Sequence, residues 1–281
     1  MLSAFHPMSA RIATIWNEMD QKVETFGRHL RAWRQRRRLS QLELALRSDV
    51  SARHLGFVET GRASPGRALV LRLADELDVP LRERNVWLVA AGMAPIFGET
   101  SINDASFEGI RAAVELTLEA HKPFPAFAID RHWNVVLSNA AVPELYEGIS
   151  AELLEIPINV MHLTFRPGGL GQRILNFDEW AQHLLHRLRR EVYLTGDPGL
   201  RDLLEEAETL YRPSKRPRGG HAVAHSLAIP LRIQTKLGPL SFFSTVTVFG
   251  TPVDVTVSEI ALEMLYPADE ETIHAVRGSS S

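Results

Sequence analysis

The chain predicts an all-α N-terminal domain of five short helices, followed by an α+β domain built on a small antiparallel sheet. Three observations carry that prediction. From Phe26 to Pro95, apolar residues recur at helical spacing between capping and stop signals. Paired β-rich runs joined by short turns begin only later. Charge divides along similar lines. Thr25 to Arg72 holds 11 Arg against Glu43, Asp49 and Glu59, a net +8, so a chain of total charge −3 carries −11 elsewhere. A basic head on an acidic body is the asymmetry of a nucleic-acid-binding module attached to something that does not touch nucleic acid.

Composition sets the remaining bounds. The 281 residues, 45% hydrophobic and 23% charged, suit one large domain or two modest ones. With no Cys, the chain has no disulfide, thiolate metal site or cysteine nucleophile, which fits a cytoplasmic location. Met1 to Asp20 lacks the apolar core of a secretory signal, and no run of 18 apolar residues suggests a membrane span.

Residues 1–24 read as an arm or amphipathic helix, with Ile12, Ile15, Trp16 and Met19 at helical spacing. The head covers residues 25–95. Its first helix, Phe26 to Arg37, places Phe26, Leu30 and Trp33 on one face. Ser40 caps the second, with Glu43 completing a capping box. Ser51 caps the third, which Gly61 stops. The fourth runs from Ala68 to Leu77 before Pro80, and the fifth from Leu81 to Ala91 before Gly92 and Pro95. Residues 96–106 lose periodicity and read as a linker. The body, residues 107–270, opens with a helix from Phe107 to Ala120. Ala126–Ile129 and Trp133–Ser138 form a hairpin across Asp130, Arg131 and His132. Asn139 is placed to cap a helix containing Ala141 and Leu145. Helices follow at Phe177–Tyr193 and Leu200–Tyr211, then a basic loop from Pro213 to Gly220. Strand runs Ser226–Lys236 and Leu240–Phe249 flank a turn, and Val255 and Val257 extend the sheet. A last helix is expected at Ser258–Leu265 and a tail at residues 271–281, of which Gly278–Ser281 should be disordered.

The second and third helices, joined by a tight turn, have the form of a helix-turn-helix, in which one helix lies in the major groove of double-stranded DNA while the other crosses the backbone. Leu42, Ala45, Leu46, Val50, Leu55 and Val58 are expected to hold the pair rigid. Ser51, Ala52, Arg53 and His54 lie at the exposed start of the reading helix. Arg53 is the candidate for a bidentate guanine contact, worth ~1–3 kcal/mol against a wrong base. Gln41 is placed to bond a phosphate and brace the reading helix. Arg62, Ser64 and Arg67, with Arg36, Arg37 and Arg38, are placed to meet phosphates. A single head buries little surface, so a homodimer on a pseudo-palindromic operator is expected.

The head resembles the XRE family of Cro-type repressors. The matching residues are Leu39, Ser40 and Gln41, then Val50 and Ser51, Leu55, Glu59, Gly61 and Pro65. That resemblance implies a structural pair between Glu59 and Arg34. The segments Leu81–Asn85, Ala90–Gly92, Pro125–Val135, Asn139–Ala141, Asn159–Phe165 and Ser241–Thr245 resemble the MmyB-like regulators of the same family. The resemblance implies a PAS-like ligand-binding body and a small effector, fatty-acid-like in character.

From the residues alone, the body offers aromatic candidates for a ligand wall in Phe127, Trp133, Phe165, Trp180, Phe242 and Phe243. His162, Arg166 and Arg173 are candidates to hold an acidic head group. Enzyme readings find no Gly-x-Ser-x-Gly elbow, phosphate loop or His-Glu-x-x-His. His183 with His186, and His221 with His225, have metal-like spacing but no clear third ligand. The expectation is therefore a regulator without cofactor, metal or catalytic activity. Two alternatives stand beside it: a body that serves as an antitoxin-like protein-interaction module, and a metal-dependent enzyme.

Overall fold

The computed structural model describes residues 25–212 and 228–279. It divides between Gly98 and Glu99 into two compact units.

The first unit is five helices: α1 (Phe26–Arg36), α2 (Gln41–Arg47), α3 (Ala52–Glu59), α4 (Arg67–Glu76) and α5 (Leu81–Ala90). Their apolar stripes close on Trp87, which is fully buried and meets Phe26 edge-on at 5.4 Å and Trp33 at 6.5 Å. Gly27 lets α1 touch the end of α3, since a Cβ there would lie 2.4 Å from the Glu59 carbonyl oxygen. One part of the expected packing is corrected. Leu44 and Ala45 face the core, whereas Leu42 and Leu46 are 60% and 72% exposed. At about 100° per residue, both leucines sit some 200° around the helix from Leu44, so turning Leu44 inward turns them out.

The second unit begins with the 3-10 turn Ala105–Phe107 and α6 (Glu108–Ala120). The hairpin β1 (Ala126–Ile129) and β2 (Val135–Ser138) follows, then α7 (Val160–Phe165), α8 (Phe177–Thr195) and α9 (Pro198–Leu210). The chain closes with β3 (Leu231–Thr235), β4 (Gly238–Val248), α10 (Val255–Ser258), β5 (Ala261–Pro267) and α11 (Glu270–Ser279). The five strands form one antiparallel sheet in the order β2-β1-β5-β4-β3. One face packs on α6 through Ala126, Ala128 and Leu262. The other packs on α7, α8 and α9 through Ile129, Phe242 and Leu265.

Three expectations for the chain after residue 250 are overturned. Val255 and Val257 lie in α10, not in a strand. Residues 261–265, the greater part of the helix expected at Ser258–Leu265, lie in the central strand Ala261–Pro267. Leu262 and Leu265 are spaced like a helical stripe, but they serve opposite faces of the sheet, as the two-residue period of a strand requires. Residues 271–279 of the expected tail lie in α11, with Thr272 fully buried and Val276 6% exposed. The loop from Pro213 to Gly220 lies outside the described residues.

Asn139 does not cap a helix as expected, since the turn that follows starts from Ala141 without a side-chain cap. The segment after it is the 3-10 turn Val142–Tyr146, and Asn139 itself is 2% exposed. Its Nδ2 donates to the carbonyls of Leu118 at 3.0 Å and Phe124 at 2.9 Å. Its Oδ1 accepts from the backbone N–H of Ala126 and of Ala141. One side chain thus ties the end of α6 to the start of β1. Asn139→Ala strips those backbone groups of their partner, and chemical denaturation of the full chain is expected to show a loss of about 2–4 kcal/mol in the second unit.

Candidate nucleic-acid interface and ligand cavity

Capping fixes where the two helices of the motif begin. Ser40 Oγ accepts from Glu43 N while the Glu43 carboxylate accepts from Ser40 N, and Ser51 Oγ accepts from His54 N at 3.1 Å. A buried carboxylate then locks the helices together. The Glu59 side chain is 2% exposed and receives Arg34 Nε at 2.6 Å, Arg34 Nη2 at 3.0 Å and Gln41 Nε2 at 2.7 Å. Arg34 also donates through Nη1 to the Leu39 carbonyl at 2.8 Å. One anion therefore joins α1, α2 and α3.

This lock changes the assignment of Gln41, whose amide is directed to Glu59 and not outward to a phosphate. Arg37 is also drawn inward: it donates to the carbonyls of Leu77 at 2.8 Å and Asp78 at 3.1 Å, closing the end of α4. Arg53, Arg62, Ser64 and Arg67 are exposed, and Ser51, Ala52 and His54 lie with Arg53 around the first turn of α3. The Arg53 guanidinium lies 5.4 Å from the Phe57 ring centroid, one turn along the helix. The stacking restrains an otherwise free side chain. Phe57 was not legible as a partner from its spacing alone.

In the second unit, a cavity of about 80 Å³ lies between the inner sheet face and α7–α8. Phe127, Ile129, Trp133, Leu163, Trp180 and Leu265 line it. Its polar wall comes from residues that sequence reasoning missed, Arg187, Ser244 and Glu263, together with His183. Glu263 sits at an inward position of the central strand and accepts from Arg187 Nη1 and from Ser244 Oγ, the latter at 2.7 Å. Arg187 also donates through Nε to Glu191 at 3.2 Å and lies 4.5 Å from the Trp133 ring centroid. Trp133 Nε1 donates to the other Glu191 oxygen at 2.7 Å. Burial pushes the Glu191 carboxyl above the usual range, against the pull of Arg187 and Trp133. Burial, with Arg187 nearby, holds His183 below its ordinary value and so neutral at neutral pH.

Trp133 has φ +67°, a left-handed conformation that costs a bulky residue roughly 1–2 kcal/mol. The turn holds it there. Asp130 Oδ1 accepts from the N–H groups of His132 and Asn134, and Asn159 Nδ2 donates to the His132 carbonyl at 2.8 Å.

Other proposed ligand residues lie elsewhere. Arg166 and His162 both reach Glu206 on α9, at 2.7 and 3.3 Å. The hydrogen bond from Arg166 holds the Glu206 carboxyl below its usual range. Phe165 stacks edge-on to Phe177 and Tyr211. Phe243 pairs in register with Tyr266 on the other side of the sheet from Phe242. Arg173 donates to the carbonyls of Gln234, Leu145 and Glu147. A second, larger cavity of about 390 Å³ is lined by Pro125, Leu145, Leu240, Phe242 and Val276 and rimmed by Glu147 and Lys236. Leu145 belongs to both walls. His221 and His225 lie outside the described residues.

One chain thus carries a helix-turn-helix unit and a unit with a sheet-walled apolar cavity. Residues 110–277 match the MmyB-like transcription regulator ligand binding domain, and residues 30–84 match the helix-turn-helix family. The chain belongs to the MmyB-like transcription regulators. This MmyB-like regulator is therefore a DNA-binding transcription regulator with a ligand-binding domain. No curated protein matches it. The solved structure of an RNA-binding light-oxygen-voltage receptor aligns over 99% of the regulator and 69% of its own chain, at 13% identity and a TM-score of 0.24. That likeness is too loose to carry any argument. No helix among the described residues is long and apolar enough to cross a membrane.

Two outcomes follow for the regulator. Arg34→Ala leaves Glu59 buried without its counter-charge and is expected to destabilise the first unit by about 3–5 kcal/mol, whereas Arg34→Met combined with Glu59→Met recovers most of that loss, read by thermal unfolding. The second concerns Tyr146, a cavity residue whose phenol burial pushes up from 10.0 to about 12. A group raised in the folded state stabilises fully below its unfolded value. Its contribution should therefore be intact below pH 10 and lost as the pH climbs toward 12. Absorbance titration of the four tyrosines should show one of them ionising last, and Tyr146→Phe should remove that step.

Proposed function

We propose that this regulator binds a pseudo-palindromic operator as a homodimer and that a small, largely apolar effector in the body alters that binding. The Glu59 lock supports the first part. By holding α1, α2 and α3 through one buried carboxylate, it presents the start of α3 as a rigid surface with Arg53 at its tip. Arg53 reads bases in the major groove, aided by Ser51, Ala52 and His54, while Arg62, Ser64 and Arg67 contact phosphates. The guanidinium fork of Arg53 matches O6 and N7 of guanine, and its stack on Phe57 lowers the entropy lost on docking.

The apolar cavity of the body supports the second part. Phe127, Trp133 and Trp180 surround space with only a few convergent polar groups, the usual make-up of a small-molecule site. The inner cavity takes only a short apolar group as it stands, so the fatty-acid-like effector that the family resemblance implies would extend past Leu145 into the larger cavity. Coupling needs little energy, since about 1.4 kcal/mol of difference between liganded and empty states shifts operator affinity tenfold.

The test is operator binding by the full-length protein, on a site selected from random DNA and measured across a salt series. Arg53→Ala is expected to flatten discrimination between the selected site and its single-base variants. Arg62→Ala is expected to weaken all sequences alike and reduce the salt slope by about one. Equal loss on every sequence from Arg53→Ala would remove it as the base reader.

A further inference from the structure

We infer that Phe57 reads the C5 methyl group of a thymine beside the guanine taken by Arg53. The inference rests on Arg53 being the base reader and adds the residue that selects the neighbouring base pair.

Phe57 is an aromatic residue that the core leaves out. The core of the first unit takes Leu55 and Val58 from α3, with Ala52 at its margin, and does not include Phe57. At about 100° per residue, Phe57 lies some 40° around the helix from Arg53 and about 160° from Leu55. It is partly exposed, with the Arg53 guanidinium 5.4 Å from its ring centroid. Gly56 precedes it and adds no side chain to the same outward face. The nearest atom to a Cβ at Gly56 would be Gln41 Oε1 at 3.7 Å, an ordinary contact. Internal packing therefore does not require this glycine, although glycine weakens a helix. The outer face of α3 offers an aromatic ring beside a bare stretch of backbone that a ligand can approach closely.

The surroundings of Phe57 fit base edges better than an apolar protein surface. Arg53, Arg62 and Arg67 are exposed on the same motif, and an apolar partner would cover them without supplying counter-charges. The thymine methyl is the apolar group that base edges present in the major groove, and phenylalanine is among the side chains that contact it. Spacing agrees. A guanidinium forked onto O6 and N7 of guanine sits at the edge of that base pair, and the next pair lies about 3.4 Å along the duplex. A ring centred 5.4 Å from the guanidinium reaches that neighbouring pair. Because the fork and the ring are stacked, the two bases are read as one step.

The experiment titrates the full-length regulator against an operator selected from random DNA. The thymine next to the Arg53-dependent guanine is then replaced by deoxyuridine, which removes the methyl alone. The selected site is expected to carry thymine on a pair adjacent to that guanine, and each half-site given deoxyuridine should weaken binding about fourfold. This arm uses the unaltered protein, so folding cannot confound it. Phe57→Ala should bind the thymine and deoxyuridine sites equally while still preferring guanine at the Arg53 position. If Phe57→Ala does not fold, Phe57→Gln removes the apolar ring with less loss of volume and should behave the same way. A selected guanine with no adjacent thymine, or equal binding of both sites by the unaltered protein, overturns the inference and leaves Arg53 as the base reader. Survival of the methyl effect in a folded Phe57 variant assigns the methyl to another residue and overturns it as well. Loss of guanine discrimination in that variant makes Phe57 a support for Arg53 and overturns it too. If Arg53→Ala leaves base discrimination unchanged, the base-reader assignment and the inference fall together.

Discussion

A carboxylate at an inward-facing position of the central strand organises the ligand-binding domain. Glu263 lies in β5, between β1 and β4, and is 5% exposed. Placing it there without partners would cost several kcal/mol. Its partners come from separate parts of the fold, Arg187 from α8 and Ser244 from β4. Satisfying one buried charge therefore fixes α8 against the sheet. Arg187 in turn places its face on Trp133, and Glu191 holds that indole by its nitrogen. The left-handed turn at Trp133 is held as part of the same arrangement.

The DNA-binding unit uses the same device in simpler form. Glu59 is buried at the end of α3 and is met by a bidentate Arg34 and by Gln41. The difference lies in the charge sum. Around Glu59, one anion meets one cation and a neutral amide, so the cluster is complete. Around Arg187, Glu263 and Glu191 share one guanidinium, and burial raises the Glu191 carboxyl above the usual range. Both clusters specify geometry by tying separate elements to one buried charge.

The head was legible because its signals are local. Ser40, Glu43, Ser51 and Gly61 mark helix ends within a few residues of where they act, and the structure starts α2 and α3 where those caps stand. The body was legible only where pairing is local, as in the β1–β2 hairpin. Its central strand was not, because β5 pairs with β1 and β4 across long stretches of chain. Within β5, Leu262 and Leu265 imitate a helical stripe, and Glu263 reads as an exposed residue between them. Arg187 was concealed for a related reason. It belongs to the polar sequence around Arg189 and Arg190, and only the packing of α8 shows that its guanidinium turns inward while Arg189 reaches Glu208 at the surface. Sequence spacing gives the face of an element but not the charge waiting opposite it.

Size limits what the inner cavity can admit. A cavity of about 80 Å³ is smaller than the ~150 Å³ apolar cavity that admits benzene, so only a short group fits without movement. The adjoining 390 Å³ cavity has ample room, and Leu145 stands in the wall of both. The Leu145 carbonyl is held by Arg173 at 3.0 Å, so its backbone is anchored and the side chain is the part that yields. Rotating one leucine costs far less than separating the sheet from α8, which would break the Arg187–Glu263 pair. The two cavities therefore join at the cost of one leucine rotamer, with the Arg187–Glu263 pair left intact.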